Sequence, residues 1–149
     1  MSLDQLYQQI ILDHSKARHG SGLAGVNAPA GASTGQSHQL NPVCGDEVTL
    51  RVAVEDGKVA QVAWDGAGCS ISMASASVLS EMAEGLTVDE LHAVIDTFRD
   101  VLRSRGKVHA DPDVLGDAAA FEGVARYAAR VKCAMISWVA AEDALNQAA

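Results

Sequence analysis

An α+β fold is what this sequence predicts: a small three-stranded antiparallel sheet packed against several helices. Three observations carry that expectation. Apolar residues recur with helical spacing at both ends of the chain, they alternate with a period of two across residues 48–64, and a hairpin signal divides the alternating stretch. An order of helix, strands and then more helices is the pattern of an α+β domain. At 149 residues, with no internal repeat and no linker, the chain reads as one domain over 1–149.

Each element has its own warrant. Leu3, Leu6, Tyr7, Ile10, Ile11 and His14 follow the i, i+3, i+4, i+7 rule of an amphipathic helix. His19 to Ser37 is rich in Gly, Ala, Ser, Asn and Pro and reads as a long loop. Val48, Leu50, Val52 and Val54 alternate, as do Val59 to Trp64, and Asp56-Gly57 between them marks a tight hairpin turn. A short strand around His38 to Asn41 supplies the third member. From Ile71 the period becomes helical, through Ala74, Val78 and Met82, and Gly85 suits the position after the helix end. Thr87 and Glu90 form a capping box that opens a helix with Leu91, Val94, Ile95, Phe98 and Leu102 on one face, closed by Gly106. Asp111 to Gly116 reads as a turn, Ala118 to Val124 as a shorter helical piece, and Val131 to Leu145 as the last helix.

Composition removes several classes of function. The formal net charge is −8, whereas nucleic acids and anionic membranes demand a basic face. No apolar run approaches the ~20 residues of a spanning helix, and the first twelve residues carry no Lys or Arg, unlike a secretory signal. The expected setting is the cytoplasm, without nucleic-acid or membrane partners, where thiols stay reduced. An odd number of cysteines, three, also fits a disulfide framework poorly.

Those cysteines lie in unusual places. Cys44-Gly45-Asp46 follows Asn41-Pro42, a tight-turn composition that can present Cys44 and Asp46 toward one point. Cys69 sits in the glycine-rich bend Gly66-Ala67-Gly68-Cys69 ahead of a helix, and Cys133 lies in the first turns of the last helix, near Arg130 and Lys132. Helix amino termini and nearby cations favour thiolate. Three thiolates and a carboxylate suit tetrahedral zinc, yet 25 residues separate the first two cysteines and 64 the last two, unlike a zinc finger. Spacing alone leaves buried filler thiols, a catalytic thiol and metal ligands all open.

Asn-Pro-Val-Cys-Gly-Asp at 41–46, Gly-Ala-Gly-Cys-Ser-Ile-Ser at 66–72, Met-Ala-Ser-Ala-Ser at 73–77 and Arg-Val-Lys-Cys-Ala at 130–134 resemble the SufU-type branch of the IscU/NifU amino-terminal family. Leu6-Tyr7 and Ile11 to His14 resemble its opening helix, and 107–129 resembles the insertion that sets SufU apart from IscU scaffolds. The resemblance implies a zinc ion held by Cys44, Asp46, Cys69 and Cys133. It also implies a SufS-type cysteine desulfurase as partner, a pyridoxal phosphate enzyme carrying a cysteine persulfide, with downstream iron–sulfur assembly machinery beyond it. The expected activity is zinc-dependent sulfur transfer, with Cys44 as acceptor. The alternative is a scaffold on which an iron–sulfur cluster is built. Scaffold proteins carry a His directly before the third cysteine, where this chain has Lys132; that departure favours the carrier. Arg130 is a candidate for supporting the anionic site. His14 and His92 read as structural or solvated, and Trp64 and Trp138 as core anchors.

Overall fold

The computed structural model describes residues 2–23, 27–43 and 45–148. Helix α1 (Leu3–Ala17) leads into strands β1 (Ser33–Asn41), β2 (Asp46–Glu55) and β3 (Lys58–Ala67). Helices α2 (Ser70–Ala83), α3 (Val88–Arg103) and α4 (Pro112–Leu115) follow, then a 3-10 segment (Gly116–Arg126) and α5 (Ala128–Ala148). The strands form one antiparallel sheet in the order β1-β2-β3. Asp56 and Gly57 both take positive φ, 54° and 75°, the backbone of the tight turn that matches strand twist. The capping boxes at Ser2/Gln5 and Thr87/Glu90 both form.

One buried cluster joins the sheet to the helices. Val48, Leu50 and Val52 of β2 and Val62 and Trp64 of β3 are buried in it, and α5 lies against β1 and β2. The scarce aromatics are concentrated there. Phe98 stacks on Trp138 with centroids 4.0 Å apart, and Phe121 meets Phe98 edge-on at 6.0 Å. Trp64 donates its indole N–H to the His19 carbonyl at 2.7 Å and Trp138 to Ser75 Oγ at 2.8 Å, so both serve as core anchors with their polar atoms satisfied.

Three local expectations change. Strand β1 begins at Ser33, inside the stretch read as loop. Its inward positions are Gly35 and Ser37, so no apolar alternation betrays it. A Cβ on Gly35 would stand 1.9 Å from the Ala144 carbonyl oxygen, which shows how closely α5 approaches the strand. Residues 112–115 form a short helix rather than a turn, with Asp111 as its N-cap and Pro112 in the first turn. Helix α3 ends at Arg103, and Arg105 and Gly106 follow in the left-handed region.

Helix α2 is the spine on which the functional residues are arranged. It packs against α1, α5 and β3 and buries Ser72, Ser75, Ser77 and Ser80 together with its Ala, Val and Leu residues. Buried hydroxyls need partners, and these have them. Ser72 donates to Asp46, Ser75 to the Ala134 carbonyl and Ser80 to the Ala76 carbonyl, while Ser77 meets His14.

Candidate metal centre

Asp46 opens β2, Cys69 is the N-cap of α2, and Cys133 lies in the second turn of α5. The sheet register sets the first two. Asn41 pairs with Asp46 at the mouth of the β1–β2 hairpin, and Glu47 pairs with Ala67 at the end of β3. The start of β2 and the start of α2 therefore meet at one edge of the sheet. Helix α5 brings Cys133 to the same place. One ligand atom from each of Asp46, Cys69 and Cys133 lies within 4.8 Å of the others.

The carboxylate is buried and tightly held. Asp46 is 1% exposed. Its Oδ1 accepts the Cys69 backbone N–H at 3.0 Å, and its Oδ2 accepts the Ser72 hydroxyl and lies 3.9 Å from Cys69 Sγ. One oxygen is thus pinned by backbone while the other faces sulfur. Gly68 makes room for this arrangement: a Cβ there would stand 2.3 Å from Asp46 Oδ1, closer than any real contact. Cys133 is buried and points its sulfur along its own helix, 3.6 Å from the Ala129 carbonyl. Cys69 is exposed, so the cluster has a dry side and an open side. Two sulfurs and a carboxylate converging at a helix amino terminus form a donor set that suits zinc.

Cys44 lies outside the described residues. Arg130 is exposed and lines a groove of about 560 Å³ between α1, the start of α2 and the start of α5. Ser70 and Ile71, directly after Cys69, line it too. Lys132 is exposed and is not part of the cluster. Two contributors escaped the sequence reading. Ser72 has one visible signal, its place three residues after an N-cap cysteine, one turn inside the helix. Gly68 reads only as a bend glycine until the carboxylate beside it is known. His14 is buried rather than solvated. It is 7% exposed, with Nδ1 2.9 Å from Ser77 Oγ and Nε2 2.9 Å from Asp117 Oδ2.

No helix among the described residues is long and apolar enough to cross a membrane. Residues 6–134 match the family described as NifU-like N terminal domain. The zinc-dependent sulfurtransferase SufU of Bacillus subtilis (strain 168) is 35% identical over 141 residues, 95% of this chain and 90% of that protein. The iron-sulfur cluster assembly scaffold protein IscU of Streptococcus pyogenes serotype M1 is 34% identical over 149 residues, covering 99% of this chain and 87% of its own length. Among solved structures, FiSufU of Fervidobacterium islandicum AW-1, described as an iron-sulfur cluster assembly scaffold protein for the SUF system, superposes with a TM-score of 0.74 at 31% identity, covering 97% of this chain and 99% of that one. The fold is of the SufU/IscU type, and the chain belongs to the NifU-like N-terminal domain family of iron–sulfur cluster assembly proteins.

Proposed function

We propose that this protein is a zinc-dependent sulfur carrier of iron–sulfur cluster assembly, accepting sulfur from the persulfide of a SufS-type cysteine desulfurase. The observation that carries the reading is the convergence of Asp46, Cys69 and Cys133 within 4.8 Å, around a carboxylate too buried and too well held to be a surface charge. Cys44 completes the proposed ligand set from the sequence, two residues before Asp46. Bound zinc supplies charge that keeps these thiols deprotonated at neutral pH.

The chain's own groups do the remaining work. Cys69 Sγ sits at the N-cap of α2, on the open side of the cluster. Ser72 and the Cys69 N–H fix the rotamer of Asp46. Arg130, three residues before Cys133 and so on the same side of α5, is the cation proposed to balance the excess negative charge. In the transfer step the Cys44 thiolate attacks the outer sulfur of the donor persulfide. A new S–S bond forms on Cys44, the donor's S–S bond breaks, and the donor cysteine leaves as thiolate. No net electrons are exchanged, so no oxidant is needed. A cytoplasmic setting fits thiols that must stay reduced.

The second reading, a scaffold for a nascent iron–sulfur cluster, draws on the IscU relative at 34% identity. Lys132, exposed where scaffolds place a histidine ligand, favours the carrier. Metal analysis and the visible spectrum of protein purified without oxygen decide between them. Colourless protein with one zinc is expected; brown protein with iron and labile sulfide contradicts the carrier.

A further inference from the structure

A second group of ligand-type side chains lies at the other end of α2. His14 of α1, Glu81 of α2 and Asp117 of the 3-10 segment each bring one ligand atom within 4.8 Å of the others. We infer that these three residues form a divalent-cation site for a first-row ion such as Mn(II) or Fe(II), separate from the cysteine cluster.

Four features of the geometry support the assignment. First, His14 is buried and its ring is locked. Ser77 Oγ holds Nδ1 at 2.9 Å and directs Nε2 at Asp117, the arrangement in which a metal-binding histidine is oriented by a partner on its other nitrogen. Second, Nε2 and Asp117 Oδ2 are 2.9 Å apart. Neighbouring ligands at right angles around an octahedral ion with bonds of about 2.1 Å lie about 3.0 Å apart, so this pair already has the spacing of adjacent ligands. Third, the Glu81 carboxylate is itself held, 2.9 Å from His19 Nε2, and its half-exposed side chain can close the remaining distance. Fourth, Glu81 lies in the last turn of α2, where the helix dipole opposes negative charge and no basic residue of that turn compensates. A cation there meets both the carboxylate and the helix end.

The donor set also narrows the choice of ion. One imidazole and two carboxylates form a hard-to-borderline set, suited to manganese, ferrous iron or zinc and lacking the sulfur that selects softer metals. The half-exposed carboxylates leave room for water ligands. An ion bound there ties α1, α2 and the 3-10 segment to one point.

Manganese(II), which thiolates bind poorly, is the probe. It is titrated into the purified full-length protein while electron paramagnetic resonance follows the free ion. The expected result is about one equivalent bound by the wild type, with at least about tenfold weaker binding in both Glu81→Gln and Asp117→Asn and unchanged binding in Asp46→Asn. Glu81→Gln is isosteric and on a half-exposed side chain, so its folding is not at issue. No binding by the wild type, or wild-type affinity in either Glu81→Gln or Asp117→Asn, overturns the site. Loss of binding in Asp46→Asn overturns its independence from the cysteine cluster.

Discussion

The two ends of α2 are built by one method from opposite chemistries. Twelve residues separate Cys69 from Glu81, about 18 Å along the helix. At the amino-terminal end, sulfur and a carboxylate meet where the dipole favours anions. At the carboxy-terminal end, an imidazole and two carboxylates meet where it favours a cation. In each cluster a buried serine of α2 holds a ligand-type side chain in place: Ser72 fixes Asp46, and Ser77 fixes His14. The contrast lies in softness and exposure. The Asp46 cluster is drawn into the core with a single open side, whereas Glu81 and Asp117 are half exposed and stabilise the surface only modestly as ion pairs. The two donor sets differ in softness: sulfur is present at one end of the helix and absent at the other.

The largest effect that would break this comparison comes from Asp46→Ala. It leaves the Cys69 N–H and the buried Ser72 hydroxyl without the carboxylate that accepts from them and removes a proposed ligand. The metal-free protein should lose about 2–3 kcal/mol, roughly 5–10 °C in Tm for a chain of this size. Zinc binding and sulfur acceptance should fall sharply, as measured by chelator competition and by sulfur transfer from the desulfurase. Sulfur acceptance at the wild-type rate would remove Asp46 from the site.

Ser72→Ala sharpens the comparison at a smaller scale. The carboxylate keeps its backbone donor but loses the hydroxyl that sets its second oxygen. Zinc affinity should drop by about 10–100-fold, while manganese binding at the far end of the helix stays as it was. Equal zinc affinity in the variant would mean that Ser72 is a core filler only.

The smallest effect tests a region remote from both clusters. The Thr87 backbone N–H, and then the Thr87 side chain, hold the Glu90 carboxyl below its ordinary value. A lowered folded-state pKa gives stability that is fully present above the ordinary carboxylate range of about 4.3. It is lost as pH falls through the lower, folded value. The melting difference between wild type and Glu90→Ala should therefore be constant near neutrality and close in acid. A difference that persists unchanged in acid would show that the cap works without its charge.

Particular residues show what the sequence could and could not reveal. Strands β2 and β3, the Asp56-Gly57 turn and the Thr87 cap were all legible, because each rests on local chemistry: periodicity, positive φ or a capping pair. Of β1 only the end, His38 to Asn41, was legible, since Gly35 and Ser37 replace the apolar residues that mark a buried face in its first half. The placing of Asp46 beside Cys69 depends on sheet register, and only the family motifs hinted at it. Ser72 and Gly68 were hidden for a related reason. Their purpose is defined by a carboxylate 22 to 26 positions away in sequence, so no window around either residue contains the explanation.

The central claim is that a metal-binding cluster at the head of α2 presents one cysteine, Cys44, for sulfur transfer. Intact-protein mass spectrometry after incubation with the desulfurase and cysteine, without oxygen, tests it most directly. Only a sulfur nucleophile can hold a persulfide, and a serine hydroxyl cannot stand in for it. The account predicts a gain of one sulfur on the wild type, mapped to Cys44, and none on Cys44→Ser, which should still bind the desulfurase. A Cys44→Ser variant that gains the same sulfur on Cys69 or Cys133 would contradict it.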